Sequence, residues 1–355
     1  MNNIRCVLII LIICFIIPAC LTDPEIKLPY EGYNPVQKND GWAISTPEAE
    51  GFDKEMIDAV YHKVYSEDLY PAIHSLLIIR NGKLVGEAYC RDKSEIDIFH
   101  NIQSATKSIT SLLTGIAIDQ GLIASVEMTV YHYIPEYFDS DIRKREITIH
   151  HVLTMETGLD FNNDDHTVEL IYGTGSSLEY VLHKNLLFSP GSDWYYNDGN
   201  PQLISGIIQK VSGTTEETFA VKNLFTPLGI RNYQWEKHHD GLTFGAIGLW
   251  LLPRDMAKIG RLLQQNGIWD GTQIVSEGWI ATSTQRQSTH QDYGYYWYPM
   301  DEEGAFYAQG HGGQLIYVVQ NLQLVVVITA DPCSNPTALS SNFQVLFDDI
   351  LKSIK

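Results

Sequence analysis

The order of the apolar patterns along the chain is the strongest constraint on its fold. Strand-like runs lie near both ends, whereas helix-like spacing occupies the middle. Near one end, two apolar runs flank Asn81-Gly82, a dipeptide that favours a tight hairpin turn because both residues tolerate positive φ. Near the other end, strand patterns cover 293–300, 314–319 and 322–329. These patterns predict an antiparallel sheet built from both ends of the chain, with a helical region inserted between them.

The predicted fold class is therefore α/β of the α+β type, with an antiparallel β-sheet flanked by helices. One domain is expected over 46–352, with its sheet region at about 46–103 and 241–352 and its mainly helical region at about 104–240. Apolar residues at helical spacing predict helices over 47–65, 104–121, 201–211, 253–265 and 339–352.

Composition excludes two broad classes of protein. The chain has 355 residues, of which 44% are hydrophobic, so it can bury a core and is not globally disordered. It carries 43 acidic and 24 basic side chains, a formal charge of −19. Binding to nucleic acid requires basic surface that neutralises phosphates, so no nucleic-acid partner is expected.

The first twenty residues indicate export. The apolar run Cys6–Ile17 has twelve residues, too few to span a bilayer, which takes roughly 20, but typical of a secretory signal. Cys20 follows Ile17-Pro18-Ala19, which resembles a bacterial lipobox. We therefore expect a signal peptide at 1–19, a lipid anchor on Cys20 and a polar tether at 20–45. A cleavable signal without lipid is the alternative.

These segments predict an exported protein, lipid-anchored in the bacterial cell envelope (periplasm). Export permits disulfide bonds. Whether Cys90 and Cys333 form one is left undecided. The sequence contains no CxxC and no HExxH pattern, so neither a metal site nor a cofactor is expected.

The first of three motifs that could carry chemistry is Ser104-x-x-Lys107. At helical spacing the two side chains share a face, and a serine at a helix start lies where developing negative charge is stabilised. Lys107 could take the serine proton if its surroundings favour the neutral amine. Alone, the pattern also fits an N-cap serine and a solvated lysine.

The second motif contains Trp194, Tyr196 and Asp198 and follows a Pro-Gly turn. A phenol held near an ammonium could relay a proton. A tyrosine in such a loop is equally compatible with simple packing.

The third motif is the glycine-rich segment His311-Gly312-Gly313-Gln314, which leads into a predicted strand. Small residues let a substrate lie along a strand edge, and a backbone N–H there could be one of two oxyanion donors. A glycine-rich turn without function is the alternative.

In this order the motifs resemble the serine β-lactamase-like and penicillin-binding superfamily, specifically its class C β-lactamase-like branch. In that branch the middle motif is Tyr-x-Asn, and the third is Lys-Thr-Gly or His-x-Gly. The resemblance covers roughly 45–352 and includes the stretches 147–159, 248–260 and 293–297. It implies a β-lactamase/transpeptidase-like fold with the site in the cleft between sheet and helical region.

By this resemblance Ser104 is the acyl-accepting nucleophile, and Lys107 and Tyr196 share the role of base, with the proton holder left open. The backbone N–H groups of Ser104 and Gln314 form the oxyanion hole. Residues expected to contact the substrate are Trp194, Asp198, His311, Gly312 and Gly313.

Two positions depart from the branch: Asp198 replaces the expected Asn, and His311 replaces a Lys that binds the carboxylate of β-lactams and D-Ala termini. Both favour esterase and amidase members, such as 6-aminohexanoate-dimer hydrolase. The sequence thus predicts an exported serine hydrolase that cleaves a small ester, amide or peptide through an acyl-enzyme. A β-lactamase or DD-peptidase, and a non-catalytic ligand-binding lipoprotein, are the alternatives; no particular oligomeric state is predicted.

Overall fold

The computed structural model describes residues 26–66, 68–300, 304–332 and 336–355. Three features of the sequence analysis lie outside these described residues. They are the expected signal peptide, the expected lipidation site Cys20, and Cys333 of the undecided disulfide.

The described chain contains eleven strands and eleven α-helices. The strands are β1 (Ile73–Arg80), β2 (Lys83–Tyr89), β3 (His100–Asn101), β4 (Gln234–Trp235), β5 (Leu249–Leu251), β6 (Ile268–Trp269), β7 (Thr272–Gln273), β8 (Tyr298–Pro299), β9 (Ala305–Gly310), β10 (Gln314–Val319) and β11 (Leu324–Ala330). The α-helices are α1 (Lys54–Val64), α2 (Thr106–Asp119), α3 (Val130–Tyr133), α4 (Ile149–Leu153), α5 (Asn163–Tyr172), α6 (Ser177–Leu182), α7 (Gly199–Ser212), α8 (Glu216–Ala220), α9 (Pro253–Gln264), α10 (Glu277–Ser283) and α11 (Pro336–Lys352). None of the helices in the described ranges is both long and apolar enough to cross a membrane.

A six-stranded sheet in the order β2-β1-β11-β10-β9-β8 forms the centre of the molecule. All its neighbouring strands are antiparallel. Two strands come from the first part of the chain and four from the last, and most of the helices lie between them in sequence. The predicted antiparallel sheet with an inserted helical region is confirmed.

The sheet separates two hydrophobic cores, because consecutive strand residues point to opposite faces. Leu76 and Ile78 face the core shared with α1 and α11, whereas Leu77 and Ile79 face the core shared with α2 and α9. On the second side, a Cβ at Gly260 of α9 would lie 2.4 Å from Val325 of β11. Glycine at this position therefore lets the helix pack closely on the sheet.

Local signals in the sequence located most of the longer elements, but they missed the sheet strand β9 and misassigned most of 293–300. The hairpin forms as predicted, with Asn81 at φ 50° and Gly82 at φ 74°. The strand predicted over 293–300 is wrong for all but Tyr298–Pro299. The preceding residues form a buried turn with Tyr296 at φ 63°, since the backbone bonds to Ser283 of α10 instead of a sheet neighbour.

Residues 26–45 lie against the body of the domain, which differs from the expected tether. Tyr33 is buried and its ring stacks on Tyr61 with centroids 4.4 Å apart. Trp42 is 4% exposed, and the Ala43 carbonyl accepts a hydrogen bond from Leu84 N of β2 (2.9 Å). Aromatic burial and backbone pairing along β2 therefore order this otherwise polar segment.

Candidate active site

Ser104 lies in a short 3₁₀ turn, Gln103–Ala105, immediately before α2. Gln103 adopts φ 52°, an uncommon conformation for a residue other than glycine, and its N–H donates to Asn101 Oδ1 (2.9 Å). A Cβ at Gly310 would lie 2.1 Å from the Ile102 carbonyl oxygen. The glycine at the end of β9 thus lets the turn that carries Ser104 pack against the sheet.

Lys107 is 1% exposed and its ammonium is surrounded by acceptors. Nζ lies 2.8 Å from Ser104 Oγ, 2.7 Å from Asp198 Oδ1 and 3.3 Å from the Ala246 carbonyl oxygen. An ammonium has three N–H donors, and each has an acceptor here. The alternative of a solvated lysine is therefore wrong, and the geometry suits a charged Lys107 that donates to the serine oxygen.

Asp198 is held from both sides beneath Lys107. Its Oδ1 pairs with the ammonium, and its Oδ2 accepts a hydrogen bond from Thr167 Oγ1 of α5 (2.7 Å). Its backbone N–H donates to Asn163 Oδ1 (2.8 Å). The sequence predicts that Asp198 contacts the substrate. In the structure Asp198 is only 7% exposed and is not among the residues that line the crevice. Its carboxylate pairs with the Lys107 ammonium instead.

The Tyr196 side chain lies beside the Lys107 ammonium. The Lys107 ammonium lies 4.9 Å from the centre of the Tyr196 ring. Burial raises the pKa of Tyr196, and the nearby Asp198 carboxylate raises it further. Hydrogen-bonding interactions with the Ser104 and Tyr298 hydroxyls act in the opposite direction on that pKa. The net increase keeps the phenol protonated at neutral pH, as a proton relay requires.

A crevice of about 210 Å³ opens above these groups. It is lined by Ser104, Tyr196, Tyr298, Gln309, Gly310, His311, Gly312 and Gly313. His311 is exposed at its mouth. In the described part of the chain, no three His, Cys, Asp or Glu side chains cluster closely enough to hold a metal ion.

The glycine-rich turn needs its small residues. A Cβ at Gly312 (φ 77°) would lie 2.3 Å from Pro332 Cα, and one at Gly313 (φ 101°) would lie 2.6 Å from the Phe343 ring. Gln314 then starts β10, and its side chain bonds to the backbone of Ala330 on β11. This holds the Gln314 backbone at the strand edge; its role as an oxyanion donor stays a prediction.

Trp194 lies behind the crevice and does not line it. Its ring is 6.1 Å from Tyr196 and 5.8 Å from Tyr293. Trp194 therefore packs beside the Tyr196 and Tyr293 rings.

The structure adds residues that the motifs did not single out. Tyr298 and Gln309 line the crevice, and Thr167 holds Asp198. Tyr298 belongs to the dense aromatic run at 293–298, a signal that could have pointed to it. Thr167 carries no such signal, because its role depends on a contact 31 positions away in sequence.

Behind α2, Glu216 is a fully buried carboxyl group. Thr110 Oγ1 lies 2.7 Å from Glu216 Oε1 and 2.8 Å from the Gly245 carbonyl oxygen. A hydroxyl has one hydrogen, so Thr110 cannot donate to both. A protonated Glu216 resolves this by donating to Thr110, which donates to Gly245.

Burial raises the pKa of Glu216 to about 7, against smaller lowering by Thr110 and Ser205. The ordinary value is 4.5, so the protonated carboxyl stabilises the fold fully below that pH and loses this contribution as the pH rises through 7. We expect the free energy of unfolding to fall by about 2.5 kcal/mol more in the wild type than in Glu216→Gln between pH ~5 and ~8. Urea unfolding across pH measures this; parallel profiles would contradict it.

The sequence model of the Beta-lactamase family matches residues 74–332, which contain all three motifs. A 6-aminohexanoate-dimer hydrolase from Paenarthrobacter ureafaciens is 24% identical over 221 residues, which is 58% of this chain and 55% of that protein. The chain spans about half the length of the curated relatives it matches.

Solved structures share the architecture. A Bacillus anthracis protein assigned as a 6-aminohexanoate-dimer hydrolase has a TM-score of 0.72 at 20% identity, over 93% of this chain and 92% of that one. A family VIII carboxylesterase has a TM-score of 0.67 at 16% identity, over 88% of this chain and 99% of that one. The fold is that of β-lactamases and transpeptidases, as the sequence resemblance implied.

Proposed function

We propose that this chain, which belongs to the β-lactamase family, is a serine hydrolase that cleaves a small ester or amide through an acyl-enzyme on Ser104. One observation carries the proposal: a buried, ion-paired Lys107 donates to Ser104 Oγ across 2.8 Å at the floor of a crevice. The hydrolases among its relatives support the same reaction class.

The positions of Ser104, Lys107 and Tyr196 support the following route to the acyl-enzyme. Ser104 Oγ attacks the substrate carbonyl carbon while its proton passes to Tyr196 Oη, and the Tyr196 proton passes to the leaving oxygen or nitrogen. The Lys107 ammonium stabilises the charge that develops on the serine oxygen. The backbone N–H groups of Ser104 and Gln314 receive the oxyanion. Water then repeats the relay in reverse and releases the acid.

The charges around the crevice favour a small substrate that places no carboxylate near the strand edge. Lys107 is neutralised by Asp198, and the turn that faces the crevice presents His311 in place of a permanent cation. An ester or amide of modest size needs no such cation, whereas a β-lactam presents a carboxylate there.

A covalent probe tests the proposal directly. After treatment with a fluorophosphonate, we expect one adduct per chain, assigned to Ser104 by peptide mass spectrometry. A p-nitrophenyl ester should give a burst of about one equivalent, because acyl-enzyme forms before it hydrolyses. A folded protein with no adduct, or with the adduct elsewhere, would contradict the proposal and favour a binding lipoprotein. Nitrocefin turnover would favour a β-lactamase.

We also propose that the protein is exported and lipid-anchored through Cys20. The apolar run Cys6–Ile17 and the lipobox-like segment after it support this. Metabolic labelling with palmitate tests it: the wild type should incorporate label in the envelope fraction, and Cys20→Ala should not. If the wild type incorporates no label, the proposal of a lipid anchor is wrong, and a cleavable signal peptide without lipid is the remaining interpretation.

A further inference from the structure

Asp198 occupies the N-cap position of α7, but its carboxylate does not cap that helix. An aspartate in this position ordinarily accepts a hydrogen bond from the second or third N–H of its own helix. Here the second N–H, that of Asn200, donates to Asn197 Oδ1 (2.8 Å). The third position is Pro201, which has no N–H. The carboxylate is therefore free to turn away from α7 towards Lys107.

Helix α5 supplies the contacts that hold Asp198 in this orientation. Asn163 and Thr167 lie one turn apart and so share a face of the helix. Asn163 Oδ1 accepts a hydrogen bond from the Asp198 backbone N–H (2.8 Å), and Thr167 Oγ1 donates to Asp198 Oδ2 (2.7 Å). Leu170 continues the same face and is buried in the core. The inner face of α5 thus joins the core at Leu170 and meets Asp198 at two points.

The two oxygens of the Asp198 carboxylate have different partners. Oδ1 accepts from the Lys107 ammonium (2.7 Å), and Oδ2 accepts from Thr167. Because a buried carboxylate oxygen without a donor is costly, loss of the Thr167 hydroxyl would favour rotation of the carboxylate or a shift of the ammonium towards it. Either movement changes the distance between Lys107 Nζ and Ser104 Oγ, which is 2.8 Å here.

We propose that Thr167 is a positioning residue for Lys107: its hydrogen bond fixes the Asp198 carboxylate, which holds the ammonium within hydrogen-bonding distance of the Ser104 oxygen. Thr167 is not among the residues that line the crevice, so it acts through Asp198 and not on the substrate. The inference rests on the proposed function of Ser104 and Lys107. It makes α5 part of the catalytic arrangement, although none of the three sequence motifs includes this helix.

Thr167→Val removes the hydroxyl and keeps a β-branched side chain of similar size. With enzyme in excess over a p-nitrophenyl ester, the rate of p-nitrophenol release reports acylation, and its dependence on enzyme concentration gives the dissociation constant. We expect acylation to slow by about 10-fold, near the lower end of the range for losing a hydrogen bond to a charged group. The dissociation constant should stay within about two-fold, because the crevice lining is unchanged. Thr167→Ser keeps the donor and should acylate within about three-fold of the wild type.

Tyr180→Phe is the matched control for a general loosening of α5. The Tyr180 hydroxyl of α6 donates to Glu169 Oε2 on α5. This variant therefore removes another side-chain contact of the helix but leaves both contacts to Asp198. It should acylate within about two-fold of the wild type. A loss equal to that of Thr167→Val would show that the attachment of α5 alone matters, and would overturn the inference.

A double-mutant cycle tests whether the effect passes through the carboxylate. Asp198→Asn introduces the residue expected in the class C-like branch and removes the negative charge beneath Lys107. In this background Thr167→Val should cost less than about two-fold more. An equal loss in both backgrounds, wild-type kinetics for Thr167→Val, or no rescue by Thr167→Ser would overturn the inference. The proposed function is tested separately, since it fails only if Ser104→Ala acylates like the wild type.

Discussion

Replacing Ser104 with alanine is expected to lower kcat/KM for ester hydrolysis by about 10⁴-fold or more, the scale of losing a catalytic nucleophile. The hydroxyl supplies the bond to the acyl group, and no neighbouring side chain can take its place at the tip of the 3₁₀ turn. Stopped-flow release of p-nitrophenol should show no burst, and the fluorophosphonate adduct should be absent.

The fold should survive this change. Lys107 loses one acceptor but keeps Asp198 and the Ala246 carbonyl. Ser108→Ala is a matched control, because it lies one turn further along α2 and donates to the Tyr296 carbonyl instead of facing the crevice. Ser108→Ala should be labelled like the wild type. Equal activity of Ser104→Ala and wild type would end the case for an acyl-enzyme at Ser104.

Lys107→Met is the second change with a large expected effect, on activity and stability together. Activity should fall by about 10²- to 10⁴-fold, as expected when a group that assists proton transfer is lost. Stability should fall by about 3–5 kcal/mol, because the buried Asp198 carboxylate loses its cation. Urea denaturation and ester kinetics measure the two effects on one preparation.

A second substitution separates these effects. In Lys107→Met/Asp198→Asn the buried charge is gone, and the asparagine can still accept from Thr167. We expect most of the lost stability to return while activity stays low. A double variant as unstable as the single one would show that Asp198 is not the source of the instability. Full activity in either variant would exclude Lys107 from catalysis.

Local signals explain why much of the fold was predictable. The Asn81-Gly82 turn needs positive φ and has it, and helical spacing located α2 and α9 to within a few residues. The segment 293–297 failed because its aromatic residues are buried on all sides and its backbone bonds to α10. The contacts of 26–45 with β2 and α1 join parts of the chain that no local pattern relates.

The site also combines residues that local spacing brings together with residues that meet only in the tertiary structure. Ser104 and Lys107 meet through helical geometry over three positions, so their spacing alone brings them together. Asp198 reaches Lys107 across 91 positions, and its burial depends on Thr167 of α5. Tyr298 joins the crevice through strand pairing with Tyr307. Such contacts are properties of the assembled tertiary structure, and no local spacing in the sequence specifies which residues meet.

Ordered packing that starts at Lys27 limits how far the domain could lie from a membrane, should Cys20 carry the proposed lipid. Lys27 Nζ bonds to the Val64 carbonyl (2.5 Å), and Leu28 N bonds to the Cys90 carbonyl (2.7 Å). A lipid on Cys20 would then be joined to the docked chain by a linker of half a dozen residues, which spans at most about 20 Å even when fully extended. The point at which the chain docks on the domain would then lie within about 20 Å of the bilayer surface.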